Sequence, residues 1–307
     1  MIRYTYLRLA WFVPTLFVII TLSFFLMRVV PGSPLATEEN LPAAIRANLM
    51  AAYHLDRPLW EQYLRYMGNI LRGDFGPSFQ YNDYTVTELI WLGFPASLQI
   101  GGIAILAASV IGVMLGTVAA LRQNSWLDHS IMAGAMTGIT IPNFVMAPLL
   151  TLLFAVVLGW LPAGGWGRGA WANKVLPIVA LALPQIAYIA RLTRGSMIEV
   201  LRSNHVRTAR AKGMPETIVV ARHAVRGAML PVVSYLGPAI AGIVTGSVVI
   251  ERIFGLPGIG RYFVEGALNR DYTLVMGVVI FYAVIIIVMN LIVDLLYAVL
   301  DPKVRLG

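Results

Sequence analysis

The chain has 307 residues, of which 58% are hydrophobic and only 12% are charged. Soluble domains carry about 25% charged residues, so this composition excludes an ordinary soluble protein and indicates an integral membrane protein. Cysteine is absent, which excludes disulfides and thiolate metal sites. The net charge of +8 is better explained by basic residues in cytoplasmic loops of a membrane protein than by nucleic-acid binding, because no soluble segment interleaves basic and aromatic residues.

Six apolar windows follow one another along the chain. A helix that crosses a bilayer needs roughly 20 apolar residues, and each window meets or approaches that length. The sequence therefore predicts an all-α membrane protein with six transmembrane helices. In chain order the windows are Leu9–Met27, Phe94–Leu121, Ser130–Leu161, Val175–Ala190, Gly227–Ile250 and Tyr272–Leu300. The fourth is the shortest, and we expect it to extend to about Gly195 with Arg191 and Arg194 at its end. Arg28 and the lack of a small-x-small cleavage site favour an uncleaved first span over a signal peptide.

Basic residues at the span ends predict the orientation, because Lys and Arg resist translocation. Arg3 and Arg8 precede the first span, and Lys303 and Arg305 follow the last, so both termini are expected in the cytoplasm. Residues 194–226 carry seven basic residues against two acidic ones and fall on the same side. The predicted division is a first span in 1–30, a periplasmic insert in 31–93, a core transmembrane domain in 94–300 with this basic loop, and a tail in 301–307.

The predicted insert contains one clear helical pattern. Apolar residues recur at helical spacing after Pro58, which predicts an amphipathic helix. They are Leu59, Tyr63, Tyr66, Met67 and Ile70. Gly73-Asp-Phe-Gly-Pro77 then predicts turns.

Several residues inside the spans predict how the helices pack. Glycine pairs four residues apart favour close approach of helix backbones, and prolines favour kinks. The pairs are Gly112/Gly116, Gly134/Gly138 and Gly242/Gly246, and the prolines are Pro142, Pro148 and Pro184. Asp294 is a candidate proton relay, although its place near the end of the last span favours an interfacial role. The uncharged polar candidates for hydrogen bonds between helices or for lining a pathway are Gln99, Asn143, Gln185 and Asn290.

No pattern typical of an enzyme is present. The four histidines have no metal-ligand spacing, and none of the three lysines follows a glycine as a Walker A loop requires. We therefore expect neither a cofactor nor ATP to be bound by this chain.

The basic loop contains a short helical pattern. Asn204 is a suitable N-cap, and Gly213 followed by Pro215 is a suitable stop, so a helix of about 12 Å is expected between them. It would comprise Asn204, His205, Val206, Arg207, Thr208, Ala209, Arg210, Ala211, Lys212 and Gly213. A slim basic helix can seat in a groove of another protein; the alternative is a helix that lies on anionic lipid headgroups.

Arg207-Thr-Ala-Arg-Ala-Lys-Gly213 resembles the cytoplasmic loop motif of ABC importer permeases, Glu-Ala-Ala, three residues, then Gly. Arg207 stands at the Glu position, Thr208 and Ala209 at the two Ala positions, and Gly213 at the Gly. The downstream Ile-x-Leu-Pro falls at 223–226, where neither the Ile nor the Pro is kept. Such departures are typical of the first permease of dipeptide and oligopeptide importers.

Further strings resemble that subgroup along almost the whole chain. They are Val30-Pro-Gly-Ser-Pro34, Leu55-Asp-Arg-Pro-Leu-Trp-Glu-Gln-Tyr63, Gly68-Asn-Ile-Leu-Arg-Gly-Asp-Phe-Gly76, Ala190-Arg-Leu-Thr-Arg194, Ile198-Glu-Val-Leu201, Glu251-Arg-Ile-Phe-Gly-Leu-Pro-Gly-Ile-Gly-Arg261 and Asn269-Arg-Asp-Tyr272.

The resemblance implies a type I ABC importer permease in a bacterial inner membrane. It implies a second homologous permease, two cytosolic ATPases that hold ATP and magnesium, and an extracytoplasmic peptide-binding protein as partners. Residues 207–213 would then be part of the helix that couples to an ATPase, and peptides would cross by alternating access. The same machinery also serves nickel, glutathione and peptide antibiotics, so these substrates stay open. An ATP-independent secondary transporter is the other alternative, with only Asp294 as a candidate ion-coupling residue.

Overall fold

The computed structural model describes residues 2–29, 56–81 and 83–300. In these ranges the chain forms helices joined by turns and short loops. We number the helices in chain order. They are α1 (Ile2–Val29), α2 (Leu59–Ile70), α3 (Val86–Leu121), α4 (Trp126–Thr140), α5 (Asn143–Thr151, continued by a π-helical turn Leu152–Val157), α6 (Trp171–Leu201), α7 (Asn204–Ala211), α8 (Glu216–Phe254, with a π-helical turn Val219–Ala224), α9 (Ile259–Leu268) and α10 (Tyr272–Leu300). The predicted all-α fold is confirmed.

Five helices contain a stretch that is long and apolar enough to cross a bilayer: α1, α3, α6, α8 and α10. The predicted span Ser130–Leu161 is not one straight helix, because α4 and α5 meet at a bend of 107°. Counting that pair as one broken span gives the six predicted crossings. The fourth span carries Arg191 and Arg194 as expected but is longer than predicted, since α6 has 31 residues and continues past the expected end near Gly195 to Leu201.

The bend between α4 and α5 has a local cause at Pro142. Pro142 has no backbone N–H for the helical ladder and disfavours helical geometry in the residue before it. Ile141 accordingly lies in the extended region, with φ −86° and ψ 117°. The kink expected at Pro142 is therefore a full break, whereas α6 continues through Pro184.

One compact unit contains the described residues of 1–6, 98–256 and 286–307. Within it α6 is the central helix, packed by α4, α5 and α8. The close approach predicted from Gly112 and Gly116 is confirmed: a Cβ at Gly112 would lie 2.8 Å from the Ile189 side chain, and one at Gly116 would overlap the backbone oxygen of Ala190. Of the second pair only Gly138 contacts another helix, because a Cβ on Gly134 would meet nothing within 4 Å.

Two of the four uncharged polar candidates lie at helix contacts in this unit. Tyr235 Oη of α8 donates a hydrogen bond to Gln185 Oε1 of α6 at 3.0 Å. A Cβ added at Gly237 of α8 would overlap the side-chain oxygen of Asn290 in α10. The helix-linking role is thus confirmed for Gln185, and the small size of Gly237 lets Asn290 approach α8.

The second compact unit contains the described residues of 7–97 and 257–285. The predicted amphipathic helix is present as α2, and its Tyr66 packs in a cluster with Phe24 of α1 and Met276 of α10. The predicted turns are confirmed by Gly73 and Gly76, at φ 78° and 88°.

A buried carboxylate fixes the loop before α3 in this second unit. Asp271 Oδ2 accepts hydrogen bonds from Ser78 Oγ at 2.5 Å and from the backbone N–H groups of Phe79 and Gln80 at 2.9 and 3.0 Å. Its Oδ1 accepts from the Leu274 N–H at 3.0 Å and so caps the start of α10. One side chain therefore ties the loop to the last long helix.

Candidate functional site

The basic segment is more helical than the sequence indicated. Because α6 extends to Leu201 and α8 begins at Glu216, only residues 202–215 separate the two long helices, with α7 between them. The N-cap is Ser203, one residue before the predicted Asn204, since Ser203 has extended φ and ψ of −73° and 157° and Asn204 is already helical. The predicted stop is present: Gly213 has φ 74° and its N–H bonds to the Arg210 carbonyl at 2.9 Å.

One side of α7 is anchored in the protein. Val206 and Ala209, three residues apart, are 0% and 4% exposed. They pack on an apolar cluster that draws on α3, α6 and α8: Ala120, Met197, Val219, Ala224 and Ala228. Both residues belong to the predicted partner-binding set, but the structure places them against the chain itself. The sequence pattern of small and apolar residues three apart could have indicated this anchoring face.

The other side of α7 is exposed and basic. The eight remaining predicted residues are all exposed: Asn204, His205, Arg207, Thr208, Arg210, Ala211, Lys212 and Gly213. Among the residues that the structure describes, Arg207 and Lys212 form no side-chain hydrogen bond or ion pair. Their charges are therefore available to an acidic or carbonyl-rich surface outside this part of the chain.

Arg210 differs from its basic neighbours because it is held within the chain. Its Nε and Nη2 donate to the Glu216 carboxylate at 3.0 and 2.6 Å, and its Nη1 reaches the Leu201 carbonyl at 3.4 Å. The hydrogen bonds that Arg210 donates to the Glu216 carboxylate raise the pKa of Arg210 above its ordinary value. Arg210 thus connects α7 to the end of α6 and to the first residue of α8.

A further contact joins the same region to the end of α3. Arg202 Nη2 donates to Gln123 Oε1 at 3.2 Å. Ser203 Oγ donates to the Val200 carbonyl at 2.6 Å and lies 3.0 Å from His205 Nδ1, which fixes the turn between α6 and α7. A displacement of α7 must therefore move the ends of α3, α6 and α8 or break these contacts.

One charged residue that supports this site was not among the predicted residues. Asp128, at the start of α4, forms a bidentate ion pair with Arg194 of α6, about 10 Å along the helix axis from Leu201. A signal was present in the sequence, since Ser125 and Asp128 have capping-box spacing; Ser125 Oγ accepts from the Asp128 N–H at 3.3 Å. The pair itself was not predictable, because 66 residues separate its members.

The family model described as "Binding-protein-dependent transport system inner membrane component" matches residues 112–306, a range that includes the whole of α7. The chain belongs to this family. The oligopeptide transport system permease protein OppB of Salmonella typhimurium (strain LT2) is 54% identical over 305 residues, which cover 99% of this chain and 100% of that protein. The dipeptide transport system permease protein DppB of Bacillus subtilis (strain 168) is 46% identical over 306 residues, covering 100% and 99%.

A solved structure titled "Crystal structure of an amino acid ABC transporter with histidines" aligns with 71% of this chain and 94% of its own, at 21% identity and a TM-score of 0.49. The family indicated by Arg207–Gly213 and the accompanying strings is confirmed by the family model and by the full-length relatives. As a binding-protein-dependent transport component of the inner membrane, the chain is a permease subunit of an ABC importer rather than an enzyme.

Proposed function

We propose that this permease carries dipeptides and oligopeptides into the cytoplasm by alternating access, with energy from separate ATPases that bind α7. Support for the cargo comes from relatives that are named for oligopeptide and dipeptide transport and match the chain from end to end. Support for the coupling role comes from α7 itself. One side of this helix is buried in the chain, and the other presents Arg207 and Lys212, whose side chains have no partner among the described residues.

The anchoring of α7 is the observation that carries the proposal. A helix packed through Val206 and Ala209 on α3, α6 and α8 cannot move alone, so force applied to its exposed side reaches the long helices. Closure of two ATPases would draw this helix toward its counterpart in a second permease, and the long helices would follow. ATP and magnesium are held by the ATPases in this scheme, and no cofactor is needed in this chain.

The proposal also includes an orientation of the chain in the membrane. Both termini and α7 lie in the cytoplasm, while the loop that contains Ala163 and the segment around α2 face the periplasm, where a peptide-binding protein delivers its cargo. The excess of Lys and Arg around α7 supports this arrangement.

The absence of native cysteine makes the test direct, because any single cysteine introduced is the only one in the chain. In sealed cells, Arg207→Cys should react with a membrane-impermeant maleimide only after permeabilisation, and it should cross-link to a cysteine placed in the ATPase surface. Ala163→Cys, in an exposed loop position, is the matched control and should react without permeabilisation. Labelling of residue 207 in sealed cells would overturn the proposal.

A second part of the test concerns the cargo and the energy source. The complete complex, reconstituted in vesicles with its binding protein and ATP inside, should accumulate a radiolabelled tripeptide. Accumulation by vesicles that contain this subunit alone would instead favour an ATP-independent transporter.

A further inference from the structure

Four side chains of α6 and α8 form a polar patch where these two helices pack together. Gln185, Tyr188 and Arg191 follow one another at three-residue spacing on α6, and Tyr235 faces them from α8. The Arg191 guanidinium lies 5.4 Å from the centre of the Tyr188 ring, and that ring lies 5.6 Å from the ring of Tyr235. Tyr235 Oη in turn donates to Gln185 Oε1 at 3.0 Å. We call these four residues the donor patch.

The donor patch holds more hydrogen-bond donors than acceptors. Within the described residues, the Arg191 guanidinium, the Tyr188 hydroxyl and the Gln185 side-chain amide nitrogen have no hydrogen-bond acceptor. Arg194, one turn further along α6, is by contrast satisfied by Asp128 through two hydrogen bonds. Of the two arginines of α6, Arg194 is therefore paired with a carboxylate, whereas Arg191 lies over the Tyr188 ring.

The position of Arg191 limits what it can face. Arg191 lies ten residues before the end of α6, which is about 15 Å along the helix axis, and its side chain is exposed. A guanidinium in contact with acyl chains is costly, so charged residues within spans face water-filled cavities or protein. The exposed side of the donor patch therefore faces a solvated passage, another chain or the headgroup region, and not the acyl chains.

We propose that the donor patch binds the C-terminal carboxylate of a peptide in transit, with Arg191 as the principal contact. This inference rests on the proposed function and names the residues by which this subunit holds its cargo. A planar guanidinium matches a carboxylate through two parallel hydrogen bonds, and stacking on Tyr188 orients it in advance. The Gln185 amide and the Tyr188 hydroxyl supply donors for the carbonyl oxygens that every peptide carries.

The alternative is a contact with the second permease, and the chemistry of the patch argues for the cargo. The groups of Arg191, Tyr188 and Gln185 that have no acceptor among the described residues can all donate. A peptide terminus supplies a carboxylate and carbonyl acceptors close together. A single cation also holds its ligand loosely enough for release, as transport requires.

The test uses the full complex of both permeases, ATPases and binding protein in vesicles, with tri-alanine as the cargo. Arg191→Ala should reduce uptake by at least about tenfold, because it removes the charge-assisted hydrogen bonds that the guanidinium donates to the carboxylate. Arg191→Lys should retain more activity than Arg191→Ala, because it keeps the charge. The matched control is Arg122→Ala, an exposed arginine after α3 that should transport as the wild type does.

Chemical rescue tests the sign of the charge. Arg191→Cys should regain uptake after reaction with a cationic methanethiosulfonate but not after reaction with an anionic one, and excess tri-alanine should protect the cysteine. The wild-type complex, treated identically, controls for cysteines in the partner proteins. Equal effects of the two reagents, or wild-type uptake by Arg191→Ala, would refute the assignment.

Two further outcomes separate this inference from other possibilities. If the second permease no longer co-purifies with the Arg191→Ala variant, the patch is a subunit contact and the inference is wrong. If the wild-type complex itself fails to accumulate tri-alanine, the proposed function fails, whereas a failure confined to the variants concerns the donor patch alone.

Discussion

The Asp128 carboxylate accepts two hydrogen bonds from the Arg194 guanidinium, from Nε at 2.6 Å and from Nη2 at 2.7 Å. The Asp128 side chain is 2% exposed and that of Arg194 is 26% exposed. Asp128 also accepts a hydrogen bond from the Asn124 N–H at 2.9 Å, so the same carboxylate orders the turn before α4. The pair holds α4 against α6, the helix that leads directly into α7.

Removal of this carboxylate should destabilise the subunit. We expect Asp128→Ala to lower the free energy of unfolding by about 3 kcal/mol, because it leaves a largely buried guanidinium without its partner. The measurement is thermal unfolding of the purified complex in detergent. The double variant Asp128→Leu with Arg194→Met, which removes both charges, should be more stable than Asp128→Ala alone; the opposite order would contradict this account.

Close contact between α3 and α6 depends on the absence of a side chain at Gly116. A Cβ there would overlap the Ala190 carbonyl and lie 2.6 Å from Thr193 Cβ. Gly116→Ala should therefore cost about 1–3 kcal/mol through overpacking. Gly102→Ala, on the same helix but with nothing within 4 Å of its Cβ, is the control and should unfold at or slightly above the wild-type temperature. Equal melting temperatures for the two variants would show that the helices are not packed this closely.

The end of α7 depends on the backbone conformation of Gly213. A Cβ at this position would meet nothing within 4 Å, so any effect of substitution comes from its φ of 74°. We expect Gly213→Val to uncouple ATP hydrolysis from uptake in reconstituted vesicles, because a β-branched residue is strained in the left-handed region and would shift the end of the helix. Gly213→Asn should retain most coupling, since asparagine tolerates this region. Wild-type transport by Gly213→Val would count against a coupling role for α7.

Arg210 and Glu216 connect α7 to α8 through an exposed ion pair. Their side chains are 42% and 55% exposed, so solvent screening leaves the pair little effect on stability. We nevertheless expect Arg210→Glu to reduce the uptake per ATP hydrolysed, because the like charges would separate α7 from α8. The exchange of both residues, Arg210→Glu with Glu216→Arg, should restore the ratio. If the exchange fails to restore it while the single Glu216→Arg variant is active, Arg210 contacts the ATPase directly.

Exposed Arg207 should behave differently from Arg210. Because Arg207 has no partner among the described residues, Arg207→Ala should weaken ATPase binding to the permeases without changing the melting temperature of the isolated permease pair. Co-purification at increasing salt measures this effect, since screening weakens an exposed charge contact. An unchanged salt dependence would place the partner contact elsewhere.

Much of the fold followed from local patterns. Long apolar windows predicted the membrane helices, and Pro58 with a helical repeat predicted α2, because a bilayer and an amphipathic surface each impose a period on the residues themselves. The eight-residue α7 was also predictable to within one residue at its start. Its stop at Gly213 depends on the conformational freedom of a single residue, which is a property visible in sequence.

Only the tertiary structure showed which contacts these helices make with one another. Composition could not show that Val206 and Ala209 anchor α7 or that Asp128 meets Arg194 across 66 residues. It also could not show that Arg210 is paired within the chain while Arg207 has no partner in the part of the chain that the structure describes. It also could not divide Ser130–Leu161 into two helices bent by 107°. Hydrophobicity and propensity act over neighbouring residues, whereas burial and ion pairing depend on which distant surfaces meet. The sequence therefore determined the class of protein and its helices, and the packing of α3, α6 and α8 determined which side of α7 a partner can reach.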